Sequence, residues 1–370
     1  MPSKPVPLST LLSQLYVAFT IEFDNEWERR LHKAGWWPRF LVSYVMWANL
    51  MRWVGEEPIT VAELEERAGV WNGPIHLGRM EQWWGYLTIS PDPAASSDKP
   101  RRAEHLVTAS VSGELALGKW RSLDNWVHDR WVERFGQTRM SQLTEALTKI
   151  ERANDLDLPD AMPVLNYSDA YVTPRPSGGV ASPARSKPKT IGALLARVLL
   201  AFTLEYEAKA PLSLPVCACV LRLIGKEPIL AKEVPLLSGV RKEATDPVIK
   251  SLAKRGFLAT SGAGAKMTVH LTHEGARVKT AHTRRLTEIE TSWNERFGAE
   301  ALGNLRAALE AMYDEPKGHS LISPGLVPPE RGWRATKAYK AQTEAFLGSP
   351  RNGLPHHPLL THRGGWPDGA

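Results

Sequence analysis

Apolar positions in the second half of the chain recur first at helical and then at strand spacing. Leu194, Leu195, Val198, Leu199, Phe202 and Tyr206 keep the three-to-four-residue interval of a helix with one buried face. The apolar run Val216 to Ile224 predicts a second helix that stops at Gly225, and Pro228-Ile229 reads as a short extended link. Glu233–Val240 (EVPLLSGV) predicts a short helix ending in a glycine turn, followed by a new helix to about Arg255. Helix, glycine turn and second helix in that order form the helix-turn-helix signature. Gly256–Thr260 (GFLAT) and Met267–Thr272 (MTVHLT) then flank the small SGAGAK tip, which predicts a β-hairpin, or wing. Two more helices close the series, the last with Leu302, Leu305, Leu309 and Met312 on one face.

The first half spells the same series. AFTIEF at Ala18–Phe23 matches AFTLEY at Ala201–Tyr206, an offset of 183. Trp47–Ile59 matches Cys217–Ile229 at 170, and Ala68–Val70 matches Ser238–Val240 at the same offset. Gly85–Leu87 matches Gly256–Leu258 at 171, and WVERFG at Trp131–Gly136 matches WNERFG at Trp293–Gly298 at 162. The last offset persists from Met140, Leu143, Leu147 and Ile150 to Leu302, Leu305, Leu309 and Met312. Five collinear matches exclude coincidence. The shrinking offset locates thirteen extra residues between Trp27 and Tyr44 and nine between Thr88 and Leu106, both in the first copy.

The expected organisation is therefore a first repeat over 1–151 (core about 10–151), a linker over 152–189, a second repeat over 190–313 and a tail over 314–370. Pro174–Lys189, with four basic residues and no acidic one, reads as extended linker. The tail is rich in Gly, Pro and His; Trp333 to Leu347 predicts one helix, with the remainder wrapped onto a repeat.

Composition narrows the function classes. Hydrophobic residues at 43% and charged residues at 23% are those of a globular chain, and the net charge of +6 suits a polyanionic partner. Cys217 and Cys219, inside an apolar run, read as small core residues. The longest apolar run, Phe40 to Met51, is interrupted by Ser43 and Asn49 and is too short for a bilayer, so a cytoplasmic protein with no membrane contact is expected. The chain has no phosphate loop, G-x-S-x-G elbow, HExxH or CxxC, and GAGAK at Gly262–Lys266 joins two strands, so no enzyme is expected. His356, His357, His362 and Asp368 raise a metal site, but Pro355 and Pro358 forbid a helical i,i+4 pair; no metal or cofactor is expected.

The second-half residues LTHEG (Leu271–Gly275) after the hairpin, and WNERFGAEALGNLRAAL (Trp293–Leu309) after the long helix, resemble the MarR family of winged-helix transcriptional regulators. The first half resembles it more weakly. The resemblance implies a mainly α fold with small β-wings: two tandem winged helix-turn-helix domains packed as an intramolecular pseudo-twofold dimer. The terminal helices of the two halves would interlock, with the stripes ending at Ile150 and Met312 at the joint, and the chain would be monomeric. It further implies a sequence-specific regulator of double-stranded DNA, a repressor, with the helix after the turn in the major groove.

The candidate recognition helix Arg241–Arg255 has five basic residues against two acidic ones. Arg241 and Lys242 stand at its groove end and Thr245 one turn on, with Lys250 and Arg255 aimed at phosphates and Lys266 on the wing. The first-half counterpart, Trp71–Gly85, has only His76 and Arg79, the latter opposed by Glu81, together with Pro74 and the pair Trp83-Trp84. Its longer wing adds Lys99, Arg101, Arg102 and His105. Asymmetric contacts are expected, with an imperfect palindrome and half-sites roughly 10 bp apart if both halves engage. Eleven of fourteen tryptophans fall in the first half. Trp27, Trp36, Trp37 and Trp47 read either as packing or as an aromatic pocket for a small planar or apolar effector, the kind of ligand MarR-like proteins commonly bind. The competing class is a winged-helix protein–protein scaffold.

Overall fold

The computed structural model describes residues 5–35, 44, 48, 50–55, 57–68, 74–82, 84–95, 99–154, 156, 158–165, 171–173, 190–315 and 319–360. They form a mainly helical fold with two small antiparallel sheets. The first half runs α1 (Leu8–Lys33), β1 (Ile59–Thr60), α2 (Val61–Ala68), α3 (Pro74–Gln82), β2 (Leu87–Ser90), β3 (Leu106–Ala109), α4 (Val111–Trp120), α5 (Leu123–Phe135) and α6 (Gln137–Asn154). The second runs α7 (Ile191–Glu207), α8 (Leu214–Cys219), β4 (Ile229–Leu230), α9 (Val234–Ser238), α10 (Lys242–Lys254), β5 (Leu258–Ser261), β6 (Thr268–Leu271), α11 (His273–Phe297) and α12 (Ala299–Ala311).

The sheets have the same order, β1-β3-β2 and β4-β6-β5. Their registers coincide: Ile59 faces Val107 as Ile229 faces Val269, and Leu87 faces Ala109 as Leu258 faces Leu271. The exit from each hairpin is built alike. Ser110 Oγ accepts from Gly113 N and Thr272 Oγ1 from Gly275 N, both at 3.0 Å, capping the helix that follows. Gly113 and Gly275 lie against the carbonyls of Tyr86 and Phe257, where a Cβ would overlap the oxygen; only glycine fits.

The matched AFT-x-E and W-x-x-RFG motifs meet in space. Trp131 Nε1 donates to Glu22 Oε2 at 2.9 Å, and Arg134 pairs with the same oxygen. In the second half Trp293 Nε1 donates to Glu205 Oε2 at 2.9 Å and Arg296 Nη2 at 2.8 Å. Each clamp ties the opening helix of its half to a helix behind the hairpin, α5 in the first half and α11 in the second. Phe19 and Phe202 stand edge-on to the two tryptophans at 5.7 and 5.2 Å.

Between the halves α1 packs against α7 and α6 against α12, so that the first and last helices of each half share one core. Gly192 lets α7 close onto the Phe19 ring. The insertion after Trp27 lengthens α1 by over two turns relative to α7. The extra wing residues lie in the connection 91–105, which answers 262–267. Where α11 is continuous, α4 and α5 are separated at Arg121-Ser122, and Ser122 Oγ accepts from Arg30 of the lengthened α1 at 2.8 Å.

Two expectations need correction. The 152–189 segment is not wholly an extended linker. Leu158, Ala161, Met162, Val164, Leu165 and Tyr171 are buried, and Asp160 pairs with Arg52 at 2.7 Å and Arg197 at 2.8 Å. Averaging over a proline-dense stretch hides the apolar run Leu158–Leu165; Pro174–Lys189 lies outside the described residues. The tail, in turn, does not form one helix from Trp333 to Leu347. It comprises α13 (Ser323–Leu326), a 3₁₀ turn (Trp333–Ala335), α14 (Lys340–Gly348) and α15 (Pro350–Gly353).

These pieces lie along α1, as the wrapping tail was expected to lie on a repeat. Asn25 Nδ2 donates to Gly325 O at 3.0 Å, and Trp333 N donates to Glu28 Oε1 at 3.0 Å. Arg334, 2% exposed, donates to Asn25 Oδ1 at 2.7 Å and Asp24 Oδ2 at 3.3 Å. Ser13 Oγ donates to Pro355 O at 3.1 Å, and Gln14 Nε2 to Arg351 O at 2.7 Å and Leu354 O at 3.2 Å. A helix whose polar residues would otherwise face water is thereby enclosed.

Arg334→Ala strips buried Asp24 of its cation and is expected to cost about 3–5 kcal/mol. Chemical denaturation checks this, and an unchanged midpoint would show that the tail does not anchor there. Burial holds the imidazoles of His282 and His357 at about 4, with Arg222 adding to the effect at His282. Both are neutral in the fold and take up protons near 6.5 once unfolded. Their contribution is intact above pH 6.5 and is lost as pH falls toward 4, by up to about 1.4 kcal/mol per pH unit for each. Melting curves between pH 7.5 and 4.5 should show this fall, less steep in a His282→Gln/His357→Gln variant.

Candidate nucleic-acid interface

The α9–turn–α10 unit and the β5–β6 hairpin are the cationic part of the second half. Gly239 ends α9 with φ +69°, the left-handed conformation that suits glycine, and Val240 N donates back to Pro235 O. Arg241 then enters α10 in extended conformation at its N-cap. Ala244, Thr245, Val248, Ile249 and Leu252 form the buried stripe of α10. That stripe turns Lys242, Lys250 and Lys254 outward, all exposed. Lys266 is exposed on the 3₁₀ turn at the hairpin tip, Gly264–Lys266, and the short turn Ala231–Glu233, with exposed Lys232, packs beside it.

The sequence-predicted residues separate on this surface. Lys242, Lys250 and Lys266 are exposed, with Lys242 Nζ 3.8 Å from Asp246 Oδ2. Thr245 is a correction: it is fully buried, its Oγ1 aimed at Lys242 O, and it does not face a groove. Its spacing to Val248, Ile249 and Leu252 carried that signal. Arg255 is half-buried; its guanidinium lies 5.2 Å over the Phe257 ring and donates to Pro211 O at 3.3 Å, which draws it from the outward lysine face. Arg241 is 18% exposed, pairs with Glu243 at 3.1 Å and stacks on Tyr339 at 4.4 Å. Lys254, Lys232 and Tyr339 escaped sequence reasoning. The lysines were readable as exposed positions, whereas nothing in the sequence places Tyr339 near Arg241.

Among the described residues, three arginines of the first-half counterpart are ion-paired. Arg67 pairs with Glu63, Arg101 with Glu104 at 2.7 Å and Arg102 with Glu81 at 2.8 Å. The Arg101 hydrogen bonds hold the Glu104 carboxyl below its usual range. Lys99 is exposed, as are Glu65 and Glu66 on α2. The side chains of His76 and Arg79 lie outside the described residues; Pro74 occupies the first position of α3, where its missing N–H costs nothing.

Of the tryptophans considered for an effector pocket, Trp36, Trp37 and Trp47 lie outside the described residues. Trp27 is fully buried and its Nε1 donates to Ala116 O at 3.4 Å, a core position. His357 bonds Thr203 Oγ1 at 2.9 Å, and His356 Nδ1 lies 3.4 Å from Thr10 Oγ1. Among the described residues no group of three or more His, Cys, Asp or Glu is placed to hold a metal ion; His362 and Asp368 lie outside them. No helix of the described residues is long and apolar enough to cross a membrane.

No protein-family model matches the chain, and no curated protein and no solved structure is detectably similar to it.

Cys217 and Cys219 are free and buried, and burial pushes both thiols up to about 12. Neither should react with a thiol reagent at pH 8 until the fold opens. Labelling that tracks the denaturation curve would agree; rapid labelling of the native chain would place a thiol at the surface.

Proposed function

We propose that this chain is a sequence-specific double-stranded DNA-binding regulator, a repressor, built from two tandem winged helix-turn-helix domains as an internal pseudo-dimer. The observation that carries the reading is the pairing of exposed lysines on α10 (Lys242, Lys250, Lys254) and at the hairpin tip (Lys266). These are the two elements that a winged helix lays on DNA. The interlocked α1, α6, α7 and α12 fit the joint that the MarR resemblance implies.

Each lysine that meets a phosphate releases condensed counterion, which supplies affinity without sequence information. Base reading falls to the α10 N-terminus, where Arg241 has the planar fork that matches guanine. The first half, with paired arginines and with Glu65 and Glu66 exposed on α2, favours a phosphate backbone less than the second half does. The second half is therefore the reading head, and a single dominant half-site is the expected target. Repression follows from occupancy of promoter DNA.

Selection of genomic fragments by the intact protein should enrich one such motif, and Arg241→Ala/Lys242→Ala should lose the enrichment. For four lysine contacts the slope of log affinity against log salt should lie near about −3.6, and Lys250→Ala should reduce it by about one unit. No enrichment from intact protein at low salt would overturn the reading; salt-insensitive capture of a protein partner would replace it with a scaffold.

A further inference from the structure

We propose that Tyr339, in the C-terminal tail, is a positioning residue for Arg241, so that the tail and the first half take part in setting base specificity. The inference rests on the DNA-reading role of α10 argued above.

Arg241 is held on two sides. Its guanidinium carbon sits 4.4 Å from the Tyr339 ring centroid, and its Nη2 lies 3.1 Å from Glu243 Oε1. Stacking covers the face of a guanidinium, whereas its five N–H donors lie in the plane. The ring therefore fixes the plane without consuming a donor, and Glu243 occupies one edge. An arginine that must present a flat fork to a base loses affinity for every rotamer it has to abandon on binding. A pre-stacked one has already abandoned them.

Tyr339 is fixed in turn. Trp333 meets it edge-on at 4.6 Å, and the Arg334 guanidinium lies 4.4 Å over the Trp333 ring. Arg334 is the residue buried against Asp24 and Asn25 of α1. The next turn of the tail holds the helix-turn-helix unit itself: Gln342 Nε2 donates to Gly239 O at 2.7 Å. Gly239 faces the Gly353 backbone so closely that a Cβ would overlap its oxygen. α14 and α15 both lie against α9. A continuous stack thus runs from α1 of the first half, through Arg334, Trp333 and Tyr339, to the N-cap of α10 in the second.

The test compares the selected best site with single-base variants of it, by titration of the full chain and its variants. Tyr339→Ala should reduce discrimination at the guanine facing Arg241 by about tenfold, approaching the level of Arg241→Ala. Discrimination at other positions and the salt slope should stay unchanged, because no phosphate contact is lost. Tyr339→Phe should restore wild-type discrimination, Tyr339→Leu should not, and Tyr339→Ala/Arg241→Ala should be no worse than Arg241→Ala. Tyr339 is half-buried at the surface, and thermal melting verifies that each variant folds. Unchanged discrimination in Tyr339→Ala, with wild-type specificity present, would overturn the proposal while leaving the DNA reading intact. Tighter binding by Tyr339→Ala would also overturn it and make the tail an occluder. Absence of sequence preference in the wild type would overturn the DNA reading itself, and this inference with it.

Discussion

Helix α1 is buried over its whole circumference from Leu8 to Asn25, and that burial depends on partners for its polar residues. Ser13, Gln14, Asp24, Asn25 and Glu28 sit among apolar neighbours, and their partners come from residues about 300 positions further along the chain. An unanswered amide or carboxylate there would cost more than the burial of several methyl groups returns. The tail is therefore a structural part of the first half, although no apolar periodicity marks it as such. Both halves, the joint between them and the tail converge on this helix.

The duplication was legible because the matched motifs are the two ends of one interaction. A glutamate on the opening helix is bonded to a Trp-Arg pair on the helix behind the hairpin, α5 or α11, in both copies. Gly113 and Gly275 likewise correspond, and each lies where a side chain cannot. Elsewhere the halves have diverged without breaking the pattern, as in α1, longer than α7, and the 91–105 connection, longer than its counterpart.

What escaped the sequence has physical causes of its own. Thr245 stands on the core stripe of α10; a polar residue name outweighed its position. The core run Leu158–Leu165 was masked by surrounding prolines and acidic residues. Contacts such as Tyr339 to Arg241 or Arg334 to Asp24 join segments with no periodic relation, and spacing carries no information about them. The paired arginines of the first half were readable only in part: Arg67 against Glu63 and Arg101 against Glu104 are local, whereas Arg102 against Glu81 depends on how the long hairpin folds back.

The position of the tail along α1 also bears on how the chain is made. α1 is translated some 300 codons before the residues that answer its polar groups. At about 5–20 residues per second, that is an interval of tens of seconds. Throughout it, a helix with buried-type polar and apolar faces must be kept from wrong partners, and any truncated product leaves it permanently open. Because residues from Gly325 to Pro355 close over α1, the core of the first half is complete only once that much later segment has been made.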